Sequence, residues 1–340
     1  PESLYIYSSA IPIESDRFED FYDKENVLSR PEYLKNLSEN HKIIGITGTH
    51  GKTSTTALLS HIFHFNNVNV SYLYGGITTF NGIGGHYGDP DQPLILETDE
   101  AFNTFEKIKI SDLLVLNVDS DHLDYFKNLD NYKDAFYKVM KNVTDNLVIN
   151  NDDLNIKSMK ELKNPVSYGK DISADFKVQS PGTFIYENNK YEIKSDIIGD
   201  HFKSNMLGAI ILAFLNGIEI KDSLNAIESF AGVKRRIELI GISKGVLIYD
   251  DYGHHPTEME ATITALKQQT ESKLYVVFQP HRYTRTMEYF DSFKDSLKFA
   301  DFAIVTDIYP AGESPIPGIS SKNFEEESIK YLKSIRYVPE

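Results

Sequence analysis

The chain has 340 residues, 41% hydrophobic and 25% charged, with 50 acidic against 35 basic side chains and a net charge of −15. That balance disfavours an extended nucleic-acid or anionic-membrane surface, so no nucleic-acid partner is expected. The absence of cysteine excludes disulfides, thiol nucleophiles and zinc–thiolate sites, and fits a reducing, cytoplasmic setting.

The first predicted element is a strand over residues 3–11, which starts abruptly and implies chain upstream. Residues 14–40 are polar with helical stretches and end in a connector. From Lys42, strands and helices alternate: strand 42–47, helix 52–66, strands 68–74, 93–97 and 113–118, helix 130–142, strand 146–150. Such alternation implies a mainly parallel sheet covered by helices. Residues 166–198 change character, with strands 183–187 and 190–193 flanking Asn188-Asn189, a hairpin signal. Residues 202–216 read as a helix apolar nearly all round, stopped by Gly217. Its apolar run, Met206 to Leu215, is too short to span a bilayer, so no membrane insertion is expected. A second α/β alternation begins near 245: strand 246–249, helix 258–268, strand 274–278, helix 289–299, strand 302–306. The expected fold class is α/β, with a central P-loop-type, mainly parallel sheet domain at 41–236. A Rossmann-like α/β C-terminal domain at 237–340, incomplete at its end, and a partial N-terminal domain with its linker at 1–40 complete the reading.

The most informative segment is Gly45-Ile46-Thr47-Gly48-Thr49-His50-Gly51-Lys52-Thr53-Ser54, where an apolar strand enters a glycine turn and then a helix. In that context the turn's N–H groups wrap phosphate oxygens, Lys52 reaches the terminal phosphates and the Thr53 hydroxyl ligates Mg²⁺. Only Thr49 and His50 separate Gly48 from Gly51, a spacing unlike the common P-loop. The candidates for nucleoside triphosphate binding are therefore Gly48, Thr49, His50, Gly51, Lys52, Thr53 and Ser54.

Other strand ends point the same way, because ligands of parallel sheets lie beyond the carboxyl ends of the strands. Leu94-Ile95-Leu96-Glu97-Thr98-Asp99-Glu100, a buried strand ending in an acidic run, places Glu97 beside the phosphate loop as a metal ligand. Leu114-Val115-Leu116-Asn117-Val118-Asp119-Ser120-Asp121-His122 offers His122 for a second metal position. Asp200 reads as a helix cap, with Asn205 as a nucleotide contact in the same segment. Lys234-Arg235-Arg236 lies at the domain junction, where an arginine fork suits phosphate oxygens. Asp250-Asp251-Tyr252-Gly253-His254-His255-Pro256 turns from a strand into a helix starting at Pro256. His281-Arg282-Tyr283-Thr284-Arg285 reads as an anion receptor in an otherwise acidic chain.

Together, Thr47-Gly48-Thr49-His50-Gly51-Lys52-Thr53, Asp250-Asp251-Tyr252-Gly253-His254-His255-Pro256-Thr257-Glu258 and Phe278-Gln279-Pro280-His281-Arg282-Tyr283-Thr284-Arg285-Thr286 resemble the Mur ligase family over essentially the whole chain. The resemblance implies an ATP- and Mg²⁺-dependent ligase of peptidoglycan precursor synthesis, with UDP-N-acetylmuramate and L-alanine as reactants. It implies Thr53, Glu97 and His122 as metal ligands and Asn205, Arg236, Asp251 and Tyr252 as ATP contacts. His254, His281, Arg282 and Arg285 would face the sugar nucleotide or the amino acid. Lys52, Arg236 and His254 would carry catalysis, His254 as candidate base. Ser8-Ser9-Ala10-Ile11-Pro12 looks like the late part of a UDP-binding domain, making Ser8 and Ser9 substrate contacts. Domain closure is expected as part of turnover. The chain departs from the family pattern at Ala101-Phe102, where Ser-Asp is usual, and at Phe202, where Asn is usual. A peptide-joining relative is one alternative; it lacks the Pro-His-Arg-Tyr-Thr-Arg turn. A nucleotide-binding regulatory module without ligase activity is another, opposed by the retention of Lys52, Thr53, Glu97, His122 and Arg236. A P-loop motor or GTPase requires a different loop spacing.

Overall fold

A computed structural model describes residues 4–8, 26–78, 82–120, 123–159, 162–332 and 334–339. Ser9 and His122 lie outside the described residues, as does most of the predicted helical stretch before residue 26. The chain divides into two compact units, one of residues up to 196 with 203–233, the other of 197–202 with residues from 234 onward.

The first unit opens with strands β1 (Tyr5–Tyr7) and β2 (Val27–Ser29), paired in parallel. Helix α1 (Arg30–Asn40) follows, its start fixed by a capping box between Ser29 and Glu32. The centre is a ten-stranded sheet. Its strands are β3 (Ile43–Thr47), β4 (Ser71–Leu73), β5 (Gly85–His86), β6 (Leu94–Glu97), β7 (Asp112–Val115), β8 (Leu147–Asn150), β9 (Val166–Gly169), β10 (Phe176–Ser180), β11 (Thr183–Tyr186) and β12 (Asn189–Glu192). The order is β12-β11-β10-β9-β8-β7-β3-β6-β4-β5. Pairing is parallel from β4 through β10 and antiparallel only at the two ends. β3 is central and buried along its whole length, as an apolar strand covered on both faces must be. Helix α2 (Lys52–Phe65) packs on β6, and the core cluster on the sheet includes Ile43, Leu113, Val115, Tyr132 and Phe136. Among the described residues no helix is long and apolar enough to cross a membrane.

Several boundaries differ from the sequence reading. β7 ends at Val115 rather than 118, because Asn117 turns to bond His50 and the Val118 N–H is taken by Asp153. The hairpin turn is Glu187-Asn188, one residue earlier than expected; both have positive φ (47° and 64°), which a type I′ turn demands. The predicted helix 289–299 is shorter, Phe290–Leu297, and is preceded by a separate helix, Tyr283–Glu288.

In the second unit β13 (Glu238–Ser243) and β14 (Val246–Asp250) form an antiparallel hairpin. The expected alternation from residue 245 is thus displaced: among the described residues β14 joins no parallel sheet, and parallel pairing starts at β15 (Tyr275–Phe278). β15, β16 (Phe302–Val305) and β17 (Ile335–Tyr337) form a three-stranded parallel sheet. Helix Pro256–Gln268 begins with proline at its first turn and His255 as its cap. Met259, Ile263, Phe278, Phe293 and Phe324 fill this unit's core.

Candidate active site

The phosphate loop follows from a strand that ends and a helix that starts uncapped. Thr47 closes β3, Gly48 (φ 142°) and Gly51 (φ 85°) adopt backbone forms that favour glycine, and α2 begins at Lys52. α2 has no side-chain cap and no acid in its first turn, leaving its initial N–H groups for an anion. The turn is locked from below. The His50 N–H donates to Asn117 Oδ1 (2.8 Å), Asn117 Nδ2 donates to His50 O (2.9 Å), and the Thr49 N–H donates to Asn117 O (3.2 Å). A β-carbon at Gly51 would lie 2.4 Å from Asn205 Nδ2, so Asn205 sits directly against the loop.

Lys52 is held inside this cradle. Its Nζ donates to Gly48 O (2.7 Å), to Thr49 O (3.2 Å) and to both oxygens of Glu100 (3.0 and 2.8 Å). Glu100 is only 1% exposed. Burial alone would lower the lysine pKa, but the Glu100 and Asp99 carboxylates outweigh it and hold Lys52 above the usual lysine range. Tyr132 Oη donates to Glu100 Oε1 (3.2 Å) and lies 3.0 Å from Thr49 Oγ1, tying helix Leu129–Lys141 to the loop.

Thr53 and Glu97 come together as expected: Thr53 Oγ1 donates to Glu97 Oε1 (2.9 Å), and the Gly75 N–H donates to Glu97 Oε2 (2.7 Å). A hydroxyl and a carboxylate at this spacing form a hard oxygen pair of the kind Mg²⁺ takes. Ser54 follows in the buried first turn of α2.

The second unit carries its own polar cluster. The Arg235 and Arg236 guanidiniums lie 5.1 and 5.2 Å from the Tyr252 ring centre, and Arg236 Nη1 is 3.6 Å from Glu258 Oε1. Glu258 Oε2 accepts the His254 N–H (3.1 Å). Both Asp251 oxygens accept backbone N–H groups, from Ile237 (2.8 Å) and Gly253 (2.7 Å). Asp251 therefore fastens the Arg235–Ile237 turn to the strand end; burial raises its pKa. The His254 and His281 rings are 6.0 Å apart. Arg285 is buried, and Arg282 pairs with Glu313 at 2.6 Å.

Sequence reasoning thus places Gly48, Thr49, His50, Gly51, Lys52, Thr53, Ser54, Glu97 and Asn205 around one loop in the first unit. Arg236, Asp251, Tyr252, His254, His281, Arg282 and Arg285 lie in the second. Ser8 is exposed just after β1. Glu100, Asn117, Tyr132, Glu258 and Glu313 were not singled out. Glu100 and Asn117 lie in the very strand-end runs that drew attention to Glu97 and His122. Glu313 lies in the loop after β16, to which the strand-end rule was not applied.

Both clusters fall within domains shared with known proteins. Residues 46–213 match the Mur ligase middle domain, and residues 235–339 match the Mur ligase, glutamate ligase domain. The UDP-N-acetylmuramate–L-alanine ligase of Dictyoglomus turgidum is 37% identical over 341 residues, covering 95% of this chain and 73% of the relative. That of Caldicellulosiruptor saccharolyticus is 34% identical, covering 99% of this chain and 77% of the relative. Among solved structures, the UDP-N-acetylmuramate-alanine ligase MurC of Thermotoga maritima matches with a TM-score of 0.80 at 25% identity, over 99% of this chain and 76% of that one. A murein peptide ligase of Psychrobacter arcticus shares the fold, with a TM-score of 0.67 at 22% identity over 97% of this chain and 76% of that one. The phosphate loop falls within the first domain match and the arginine–histidine cluster within the second, and the chain belongs to the Mur ligase family.

Proposed function

We propose that this chain is an ATP-dependent ligase that joins the carboxylate of UDP-N-acetylmuramate to the amine of L-alanine, in peptidoglycan precursor synthesis in the cytoplasm. The observation that carries the reading is a largely enclosed Lys52, held by Glu100, next in sequence to the Thr53–Glu97 oxygen pair at one uncapped helix start. The likeness to relatives that carry this activity in their names supports it. Residues 41–236 are assigned to ATP binding and 237–340 to the acceptor chemistry.

The reaction must bring two anions together, the acceptor carboxylate and the γ-phosphate of ATP. Unit charges 4 Å apart repel by roughly 4 kcal/mol at an effective dielectric of about 20. Lys52 and the loop N–H groups offset that charge on the phosphate side, and Arg236, Arg282 and Arg285 are assigned to anionic groups of the reactants. The Thr53 hydroxyl and the Glu97 carboxylate would hold one Mg²⁺, with His122 at a second metal position; the metal's part is to neutralise phosphate charge. A carboxylate oxygen displaces ADP from the γ-phosphorus, giving an acyl phosphate. The alanine amine, relieved of its proton with His254 as candidate base, adds to the acyl carbon, and inorganic phosphate leaves with the C–O bond electrons. Asn205 and Tyr252 are assigned to the nucleotide base. Ser8 and Ser9 are kept as sugar-nucleotide contacts.

Phosphate release from full-length protein with ATP, Mg²⁺, UDP-N-acetylmuramate and a panel of single amino acids tests the assignment. L-alanine is expected to stimulate release at least about 100-fold, an effect well within what orientation of reactants provides. Release that no amino acid stimulates contradicts it.

A further inference from the structure

The loop after β16 returns to the basic turn after β15 and binds it by backbone. The Thr306 N–H donates to Phe278 O (3.0 Å), the Tyr309 N–H to Pro280 O (2.8 Å), and the Arg282 N–H back to Tyr309 O (2.8 Å). The loop then reverses at Pro310–Glu313, closed by the Glu313 N–H on Pro310 O (2.9 Å). Positive φ at Ala311 (48°) and Gly312 (87°) is the pattern of a type I′ turn. This turn delivers one carboxylate. Glu313 Oε1 accepts from Arg282 Nε (2.6 Å) and from Thr284 Oγ1 (2.7 Å); Oε2 accepts the Thr284 N–H (3.0 Å).

Arg282 itself has φ 70°, a region that residues with a β-carbon rarely enter. Ala311 is in the same region. Two disfavoured backbone conformations are thus maintained on either side of one ion pair. Strain of this kind persists where the surroundings over-determine it, and it concentrates at ligand clamps. An arginine side chain has many rotamers to lose when a ligand fixes it; one already fixed through Nε loses fewer.

We propose that Glu313 is a positioning residue that orients the Arg282 guanidinium for the anionic group of the substrate, a carboxylate or a phosphate. The inference rests on the reading of Arg282 as a substrate contact. Although burial acts to raise the Glu313 pKa, the bonds from Thr284 and Arg282 outweigh it and hold the carboxyl below the usual range, so it is a full anion at neutral pH.

Calorimetric titration of the full chain tests this, with UDP-N-acetylmuramate in one arm and L-alanine in the other, the latter with sugar nucleotide and a non-hydrolysable ATP analogue present. Glu313→Gln is expected to weaken one of the two ligands at least about tenfold while changing affinity for the ATP analogue less than about twofold. Loss confined to L-alanine identifies its carboxylate as the group received; loss for the sugar nucleotide identifies that ligand's anionic groups. Glu313→Asp, which keeps the charge, should recover part of the affinity. In an Arg282→Ala background the Glu313→Gln effect should vanish, since a residue acting through another shows full coupling. The inference is overturned if Glu313→Gln binds both ligands as wild type does. It is equally overturned if affinity for the ATP analogue and the melting temperature fall in parallel, or if the effect survives intact without Arg282. Wild-type protein that binds neither ligand sinks the ligase reading, and this inference with it.

Discussion

Lys52 has a full set of partners within the protein. Its ammonium lies between two loop carbonyls and the buried Glu100 carboxylate. Lys52→Ala therefore removes the proposed phosphate contact and also strands a buried charge. Breaking a buried pair costs about 3–5 kcal/mol. At roughly 2–4 °C per kcal/mol for a unit of this size, the melting temperature should fall by at least about 6 °C. Adding Glu100→Gln should recover most of that fall and none of the turnover. Calorimetric melts of the single and double variants check this; equal melts for wild type and Lys52→Ala would show that the pair carries no structural weight. Lys52 and Thr53 were legible because a strand, a glycine turn and a helix lie within a dozen residues, so local chemistry fixes their placement; Glu97 was legible as the carboxylate ending a second apolar strand. Glu100 and Tyr132 were not: one looked like the tail of an acidic run, and the other reaches the loop from a helix about eighty residues away in sequence. Asp251 was legible as a site candidate, but not its structural part: its carboxylate also accepts the backbone N–H groups of Ile237 and Gly253.

The basic turn after β15 behaves as one element with the loop after β16. His281 bridges to Tyr309 and stacks on its ring at 5.5 Å. Burial, then the charges of Arg285 and Arg282, hold its pKa below the usual histidine range. The folded turn thus prefers a neutral imidazole. Its contribution to stability is complete above the unfolded pKa of about 6.5 and is lost as pH falls from there through the folded value. Between pH 7.5 and 5.5 the wild-type melting temperature should drop more than that of His281→Gln; parallel pH slopes would refute the assignment. The sequence marked this turn by its density of cations at a strand end. It did not reveal the strap, because Glu313 is thirty-one residues beyond Arg282 and its delivery depends on a turn with positive φ at an alanine.

At the scale of the whole chain, period and punctuation were enough for the central sheet. β3, β6, β7 and β8 were all read near their observed positions, since buried parallel strands are continuous apolar runs. Pairing partners were less accessible. β14 looks like the first strand of a second parallel layer, yet it pairs back on β13, a choice made by a two-residue turn at Lys244-Gly245 with positive φ at both.

The central claim is that cations of a net acidic chain allow a carboxylate to attack a phosphate. Its most direct test is to supply UDP-N-acetylmuramate labelled with ¹⁸O in the reacting carboxylate, with ATP, Mg²⁺ and L-alanine, and to weigh the phosphate released. Passage through an acyl phosphate transfers one carboxylate oxygen, so the phosphate should carry a single ¹⁸O. Unlabelled phosphate, formed while amide accumulates, would contradict it.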